Sequence, residues 1–308
     1  MRRSRSRRDP APVRSLLVSW TIQDRNVIVT GANSGIGRAT AVALASAGAK
    51  VTIMCRNPSE GARAAAEIGF ETGSEVACIT IDLTDQSSIE AAADTYLRDG
   101  RDLSVLVNNA GAVFGTREVT NEGFERTLAT NHLGPFLLTH LLSETLIRSA
   151  PSRVINVTSS GHGWARLGIR WDDPHLEGGY RLREAYGQSK LANILHARAL
   201  AERFGDDGVS AYSVHPGLAR TDIGRGGESR LVAAAYRLGH WKLPSPEAAA
   251  DTVVWLATTP DPPEPNGGYF EQRRHARSSR WAREPSGPDR LWDMTTDLLQ
   301  LPGGRRQP

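Results

Sequence analysis

The sequence predicts an α/β fold: a doubly wound, parallel sheet covered by helices on both faces, in a single domain with a C-terminal extension. Three observations carry this expectation. From Asn26 onward, apolar β-branched runs alternate with alanine-rich helical stretches. The strand-like runs are continuously apolar, as strands buried on both faces must be. A glycine-rich turn, TGANSGIG (30–37), joins the first strand to the first helix.

The elements follow in order. NVIVT (26–30) is the first strand and runs into the helix of GRATAVALASAGA. KVTIM (50–54) is the second strand, followed by a helix through Arg63 and Ile68. EVACITI (75–81) precedes a helix near Ile89 to Leu97, and SVLVN (104–108) precedes a long helical segment through His140. RVINVTS (153–159) is followed by a loop and then by the helix that carries YGQSKLAN (186–193). VSAYSVHP (209–216) is a further buried strand. TTPDPPEPNGG (258–268) is a surface loop that leads to a short strand at Tyr269–Phe270, and SRWAREPSGPDRLWDMTTDLL is a loop with one amphipathic helix. Right-handed crossovers make a doubly wound sheet the economical way to join these strands. Residues 21–301 therefore read as one domain, with a substrate loop at 160–184, a lid at 217–232 and an extension at 260–301. Residues 1–20 read as a basic, disordered arm and 302–308 as a frayed tail.

Charge excludes one class of partner. The isoelectric point is near 9.1, yet the first fourteen residues hold six arginines against one aspartate, and Arg305 and Arg306 add two more positive charges. With a whole-chain charge of +3, the body between these ends is net negative. The fold is not a basic platform for nucleic acid. No run approaches the roughly 20 apolar residues of a membrane span, and the arm lacks the apolar core of a signal peptide. Cys55 and Cys78 lie in apolar strand-like segments and read as reduced core residues of a cytoplasmic protein.

The polar signatures gather at strand ends. In TGANSGIG, Gly31, Gly35 and Gly37 let the backbone turn tightly, while Asn33, Ser34 and Ile36 complete a turn that aims free N–H groups at a pyrophosphate. A glycine-rich turn alone can be only a turn. The second strand ends in Cys55 and Arg56, where an NAD enzyme would place an acid. A neutral residue followed by a guanidinium suits a 2′-phosphate, with Arg38 a second contact, so NADP(H) is expected ahead of NAD(H). Asp82 and Leu83 end the third strand near the expected adenine. Asn109, Ala110 and Gly111 end the fourth strand beside the adenine–ribose side. Ser159 ends the fifth strand, and Pro216 and Gly217 follow the sixth. Ligands of open parallel sheets bind at such ends.

Tyr186 and Lys190, four residues apart, share one helix face. The chain has three lysines against 34 arginines, so a lysine here is a chosen one. A phenol of ordinary pKa, about 10, is poorly matched to proton transfer at neutral pH. A cation ~4 Å away at an effective dielectric near 20 contributes about 4 kcal/mol and brings the phenol toward working pH.

TGANSGIG, NNAG, Asn131, Ser159, YGQSK and HPG resemble the short-chain dehydrogenase/reductase family, in that order, from about Ile22 to about Leu301. Within it, NHLGPFLLTHLL, IRWDDP, AYGQSKLANILHARAL, GGYF and DRLWDMTTDLL resemble the branch of retinol dehydrogenases and WW-domain oxidoreductases. The resemblance implies a Rossmann fold and hydride transfer between NAD(P) and an alcohol or carbonyl, here a hydrophobic one. It implies Tyr186 as general acid/base, Lys190 on the nicotinamide ribose, and Ser159 as donor to the substrate oxygen, with Ser160 as its competitor. It further implies Asn131 as holder of a relay water and Thr221 as a contact of the carboxamide. It leaves the oligomeric state open between a homodimer, paired through the helices after the fourth and fifth strands as in many members, and a monomer as in some related ones. Two departures stand out: Pro135 after Gly134, which predicts a kink, and a 27-residue interval between Ser159 and Tyr186. The inserted loop, rich in aromatic residues, is expected to wall the substrate, and its His162 and His175 to be polar loop residues. The competing reading is a catalytically silent regulator that uses the same fold to sense a nucleotide or bind a partner.

Overall fold

The computed structural model describes residues 20–217 and 244–301. Residues 1–19 of the expected arm at 1–20, the tail at 302–308, all but the first residue of the expected lid, and Thr221 lie outside them; Trp20, read as the end of the arm, is instead buried in the core. Seven strands run parallel: β1 Asn26–Thr30, β2 Lys50–Cys55, β3 Ala77–Thr80, β4 Val105–Asn108, β5 Ser152–Val157, β6 Val209–His215 and β7 Tyr269–Glu271. An eighth, β8 Arg274–His275, pairs antiparallel with β7. Their order in the sheet is β3-β2-β1-β4-β5-β6-β7-β8. The order reverses direction between β1 and β4, and the crevice above that point is where open sheets of this kind bind ligands.

Helices cover both faces. α1 Gly35–Ser46, α2 Pro58–Thr72 and a helix over Pro246–Thr258 pack on one face; α3 Gln86–Leu97 and much of the chain from 126 to 204 pack on the other. Residues of β1 sort accordingly. Val27 and Val29 face Leu44 and Ile68, while Ile28 faces Ile89 and Phe136. Local signals set the ends: Asn57 caps α2 by accepting from Ser59 N (3.0 Å) and Glu60 N (3.2 Å), Pro58 occupies the first turn, and Gly73 ends it at φ 68°.

Three features depart from the expected elements. The helical segment expected after β4 begins only at Arg126, where the buried Glu125 carboxylate accepts from Thr127 N (2.8 Å) and Leu128 N (2.7 Å). α4 Arg126–Leu128 then passes through a π-turn, Ala129–Leu133, into α5 Gly134–Leu141 and α6 Ser143–Arg148. Pro135 lacks the N–H that a regular helix needs at that position, so the expected break falls there as a π-turn. The insertion before α7 Leu182–Phe204 opens with a 3₁₀ turn at Ser160–Trp164. Finally, Pro246–Thr258, here α8, was not among the expected elements, though Ser245 and Pro246 are ordinary start signals: Ser245 Oγ accepts from Ala248 N at 3.3 Å. α9 Gly287–Leu298 is the expected amphipathic helix of the extension, and it buries Leu291 and Trp292.

Arg153 on β5 is 2% exposed and has no carboxylate partner among the described residues. Its guanidinium donates to Leu256 O and Thr259 O, each at 2.7 Å, and lies 4.0 Å from the Trp20 ring centroid. It thus ties the end of α8 to the centre of the sheet and covers it with Trp20, whose indole donates to Ala257 O at 3.0 Å. Arg153→Met removes both charge-assisted bonds and leaves two carbonyls without a donor. It is expected to cost about 2–3 kcal/mol in urea unfolding; a loss under about 0.5 kcal/mol contradicts this role.

Candidate active site

The glycine turn lies where β1 ends. Gly31 (φ +67°) takes up a backbone conformation that side chains rarely adopt, and its N–H donates to Met54 O at 2.7 Å. A Cβ on Gly37 would stand 2.5 Å from Gly31 O, so only glycine lets α1 start this close to the turn. Ser34 precedes α1 without capping it, which leaves the first N–H groups of the helix to an outside acceptor. Asn33 donates to Glu60 at 3.1 Å.

The neighbouring strand end is fastened to this turn. Asn109 Nδ2 donates to Thr30 O (2.8 Å), and Thr30 Oγ accepts from Asn109 N and Ala110 N, each at 3.0 Å. Thr30 was not singled out from sequence, although it is the first residue of the quoted turn. Arg56 is exposed at the end of β2 and makes no ion pair among the described residues. Arg38, by contrast, reaches over α2 to Glu71 (2.8 Å) and Glu67 (3.6 Å). Asp82 accepts from Thr84 N (2.9 Å) and Thr84 Oγ (2.7 Å), and so shapes the loop that carries buried Leu83. Pro216 and Gly217 (φ +84°) lie beyond the end of β6.

The centre of the site is Lys190. It is 3% exposed, and its ammonium donates to Val157 O at 3.1 Å. No carboxylate among the described residues pairs with it. Burial lowers its pKa from 10.5 to about 8, so it stays predominantly charged at neutral pH. The Nζ lies 5.8 Å from the centroid of the Tyr186 ring. A Cβ built on Gly111 would lie 3.1 Å from this Nζ and 3.3 Å from Asn131 Oδ1, so the glycine keeps the space between them open.

Asn131 occupies the π-turn and spans to the strand-end loop. Its Oδ1 accepts from Ala112 N (2.7 Å), and its Nδ2 donates to Ala112 O (2.9 Å) and Ser189 Oγ (2.9 Å). Ser189 in turn donates to Tyr186 O at 2.9 Å. Ser189 is another residue that sequence reasoning passed over, inside the YGQSK motif itself. Beneath it, Asn108 donates to Asn156 Oδ1 (2.9 Å), and Asn193 donates to Val157 O (3.3 Å).

Ser159 caps the 3₁₀ turn, accepting from Gly161 N at 3.1 Å. A Cβ on Gly161 would stand 2.8 Å from Tyr186 Cε1 and 3.3 Å from Ser159 Oγ, so ring and hydroxyl border the same small space. Ser160 is exposed. His162 donates from Nδ1 to Ser159 O (2.7 Å) and accepts at Nε2 from Ser279 N (3.0 Å), which fixes one neutral tautomer; burial lowers its pKa. The inserted loop is pinned at several points, among them Gln188 to Pro174 O (2.8 Å) and Tyr180 to Phe114 O (2.8 Å). It presents Trp164, 47% exposed, with its ring 5.9 Å from that of Tyr186, and Leu167, 64% exposed.

The glycine cradle and the uncapped start of α1, together with an Arg56 that has no ion pair and a buried ammonium with one acceptor among the described residues, fit a dinucleotide. They bring Tyr186, Lys190, Asn131 and Ser159 to one end of the sheet; Thr221 lies outside the described residues. No group of three or more metal-ligating side chains occurs among the described residues, and no helix there is long and apolar enough to cross a membrane.

Comparison with known proteins agrees with this geometry. Residues 25–168 match the short chain dehydrogenase family. The chain is 40% identical to mouse retinol dehydrogenase 12 over 281 residues, which covers 91% of this chain and 88% of that protein. A crystal structure of a protein from Mycobacterium paratuberculosis superposes with a TM-score of 0.70 at 28% identity, covering 92% of this chain and 98% of that one. A blue fluorescent protein from a metagenomic library, solved in complex with NADPH, superposes with a TM-score of 0.63 at 25% identity over 82% of this chain and 97% of that one.

Lys190 also leaves a signature in stability. Its lowered pKa means that the unfolded chain binds more protons between pH 8 and 10.5, so stability from this group rises with pH across that window. Below pH 8 the cofactor-free protein bears the full penalty, on the order of 3 kcal/mol. Lys190→Met is therefore expected to raise the urea midpoint at pH 7, with the advantage shrinking by pH 10. An unchanged difference between the two proteins across that range contradicts the burial of a charged lysine.

Proposed function

The chain belongs to the short-chain dehydrogenase family, an oxidoreductase related to the retinol dehydrogenases, and from that premise we propose an NADP(H)-dependent enzyme that interconverts a hydrophobic alcohol and its aldehyde or ketone. The observation that carries this reading is the ammonium of Lys190, buried beside the Tyr186 ring with Val157 O as its acceptor.

The bound nicotinamide cofactor supplies or accepts the hydride. Every other task falls to the chain. The Gly31–Gly37 turn and the start of α1 hold the pyrophosphate, and Arg56 grips the 2′-phosphate. Lys190 offers its remaining N–H bonds to the ribose hydroxyls, and its charge favours the phenolate form of Tyr186. Tyr186 then gives its proton to the forming alkoxide in reduction and removes it from the alcohol in oxidation. Ser159 donates to the same substrate oxygen and orients it. Asn131, clamped by Ala112 and Ser189, holds the water through which Lys190 exchanges protons with solvent.

Trp164 and Leu167 support the apolar substrate class: both are exposed on the inserted loop, and the Trp164 ring lies beside that of Tyr186, which suits an apolar body such as that of retinol. Arg56 supports the cofactor choice because, unlike Arg38, no carboxylate among the described residues competes for it.

Tyr186→Phe is expected to lower turnover roughly 10²–10⁴-fold while NADPH still raises the melting temperature. Retained turnover in this variant defeats the assignment of Tyr186. Arg56→Asp is expected to weaken NADPH roughly 10–100-fold and leave NADH no weaker than before; equal losses for both cofactors contradict the 2′-phosphate contact.

A further inference from the structure

Away from the strand ends, a pocket of about 710 Å³ opens between the C-terminal half of α7, the loop that enters β7 and the segment after β8. Its volume lies in the range of sites that take small organic molecules. Ile194 and Tyr269, both buried, give it an apolar floor. Its rim is cationic. Arg277 and Arg283 are exposed there, and neither has a hydrogen-bond or ion-pair partner for its side chain among the described residues. A third guanidinium, Arg198, is engaged with Ala282 O (2.7 Å) and Glu284 O (3.0 Å) and stands 3.8 Å from Glu202, the one acid on the lining. An apolar floor under two unpaired guanidiniums selects a molecule with an apolar body and one anionic head.

The pocket shares structure with the site. Ile194 and Arg198 follow Lys190 on α7 by one and two helical turns. The Tyr269 ring lies 5.2 Å from that of His162, and His162 holds both Ser159 O and Ser279 N, two residues beyond Arg277. We propose that this pocket is a second ligand site, specific for an amphipathic organic anion, and that its occupancy alters turnover through Tyr269, His162 and Ser159. The effect on turnover rests on the oxidoreductase reading above; the binding does not.

The test uses the full-length protein with decanoate and decyl phosphate as probes and decan-1-ol as the neutral control. In calorimetry, at least one anion is expected to bind with 1:1 stoichiometry, with and without saturating NADPH, and about tenfold more tightly than decan-1-ol; the better of the two identifies the headgroup. The double variant Arg277→Glu, Arg283→Glu is expected to weaken anion binding about tenfold with turnover in the absence of anion unchanged. In the unvaried protein the anion should change turnover by about twofold or more, and in the double variant it should not. Failure of both anions to bind, equal binding of decan-1-ol, displacement by NADPH or indifference to the double variant each overturns the site. Binding without a change in turnover overturns the coupling and leaves the site. Absence of any turnover counts against the oxidoreductase reading, while the calorimetry still decides the pocket.

Discussion

A positive charge buried without a negative partner among the described residues is the constraint on which the rest of this structure depends. Removing an ammonium from water is costly unless something returns the lost solvation. Lys190 receives one carbonyl, Val157 O, and the depression of its pKa to about 8 reflects the remainder. Around it the chain leaves room rather than filling it. Gly111 carries no side chain where one would crowd the ammonium, and Asn131 turns toward Ala112 and Ser189. On the proposed reading, this room takes the ribose hydroxyls and the oxygen of the neighbouring phenol.

The sheet explains how so exacting a centre is held. β4 and β5 are central strands whose ends carry Asn108, Asn109 and Asn156, and side-chain bonds lock these to one another and to the β1 turn. The second layer is equally fixed. His132, pushed down to about 3 by burial, stays neutral and bonds Thr295 on α9 at 2.9 Å, so the C-terminal extension braces the helix next to Asn131. His162 does the same for Ser159 from the segment after β8. The extension is thus part of the scaffold of the site.

Much of this was legible in the sequence because its causes are local. Continuous apolar runs located β1 to β7 within a few residues, and the i, i+4 spacing put Tyr186 and Lys190 on one face. What escaped has causes that are distant or geometric. The π-turn at Ala129–Leu133 arises from Pro135 together with the cross-links of Asn131, and Ser189 acquires its role only when the turn reaches it. Arg38 was expected as a second contact of the 2′-phosphate, and acids on α2, some thirty residues later, engage it. β8 is two exposed residues with no periodicity to detect, and α8 was missed although Ser245 and Pro246 announce it.

The most direct test of the account is an ultraviolet difference titration of the tyrosines. The chain has six, and burial pushes the pKa of Tyr96, Tyr180, Tyr212 and Tyr269 upward, so a single phenol that ionises early stands apart from them. The account predicts one tyrosinate formed well below pH 10, absent in Tyr186→Phe and moved back toward the ordinary range, about 10, in Lys190→Met. If no tyrosine ionises early, or if the early one is unaffected by Lys190→Met, the buried ammonium does not tune Tyr186 and the central claim fails.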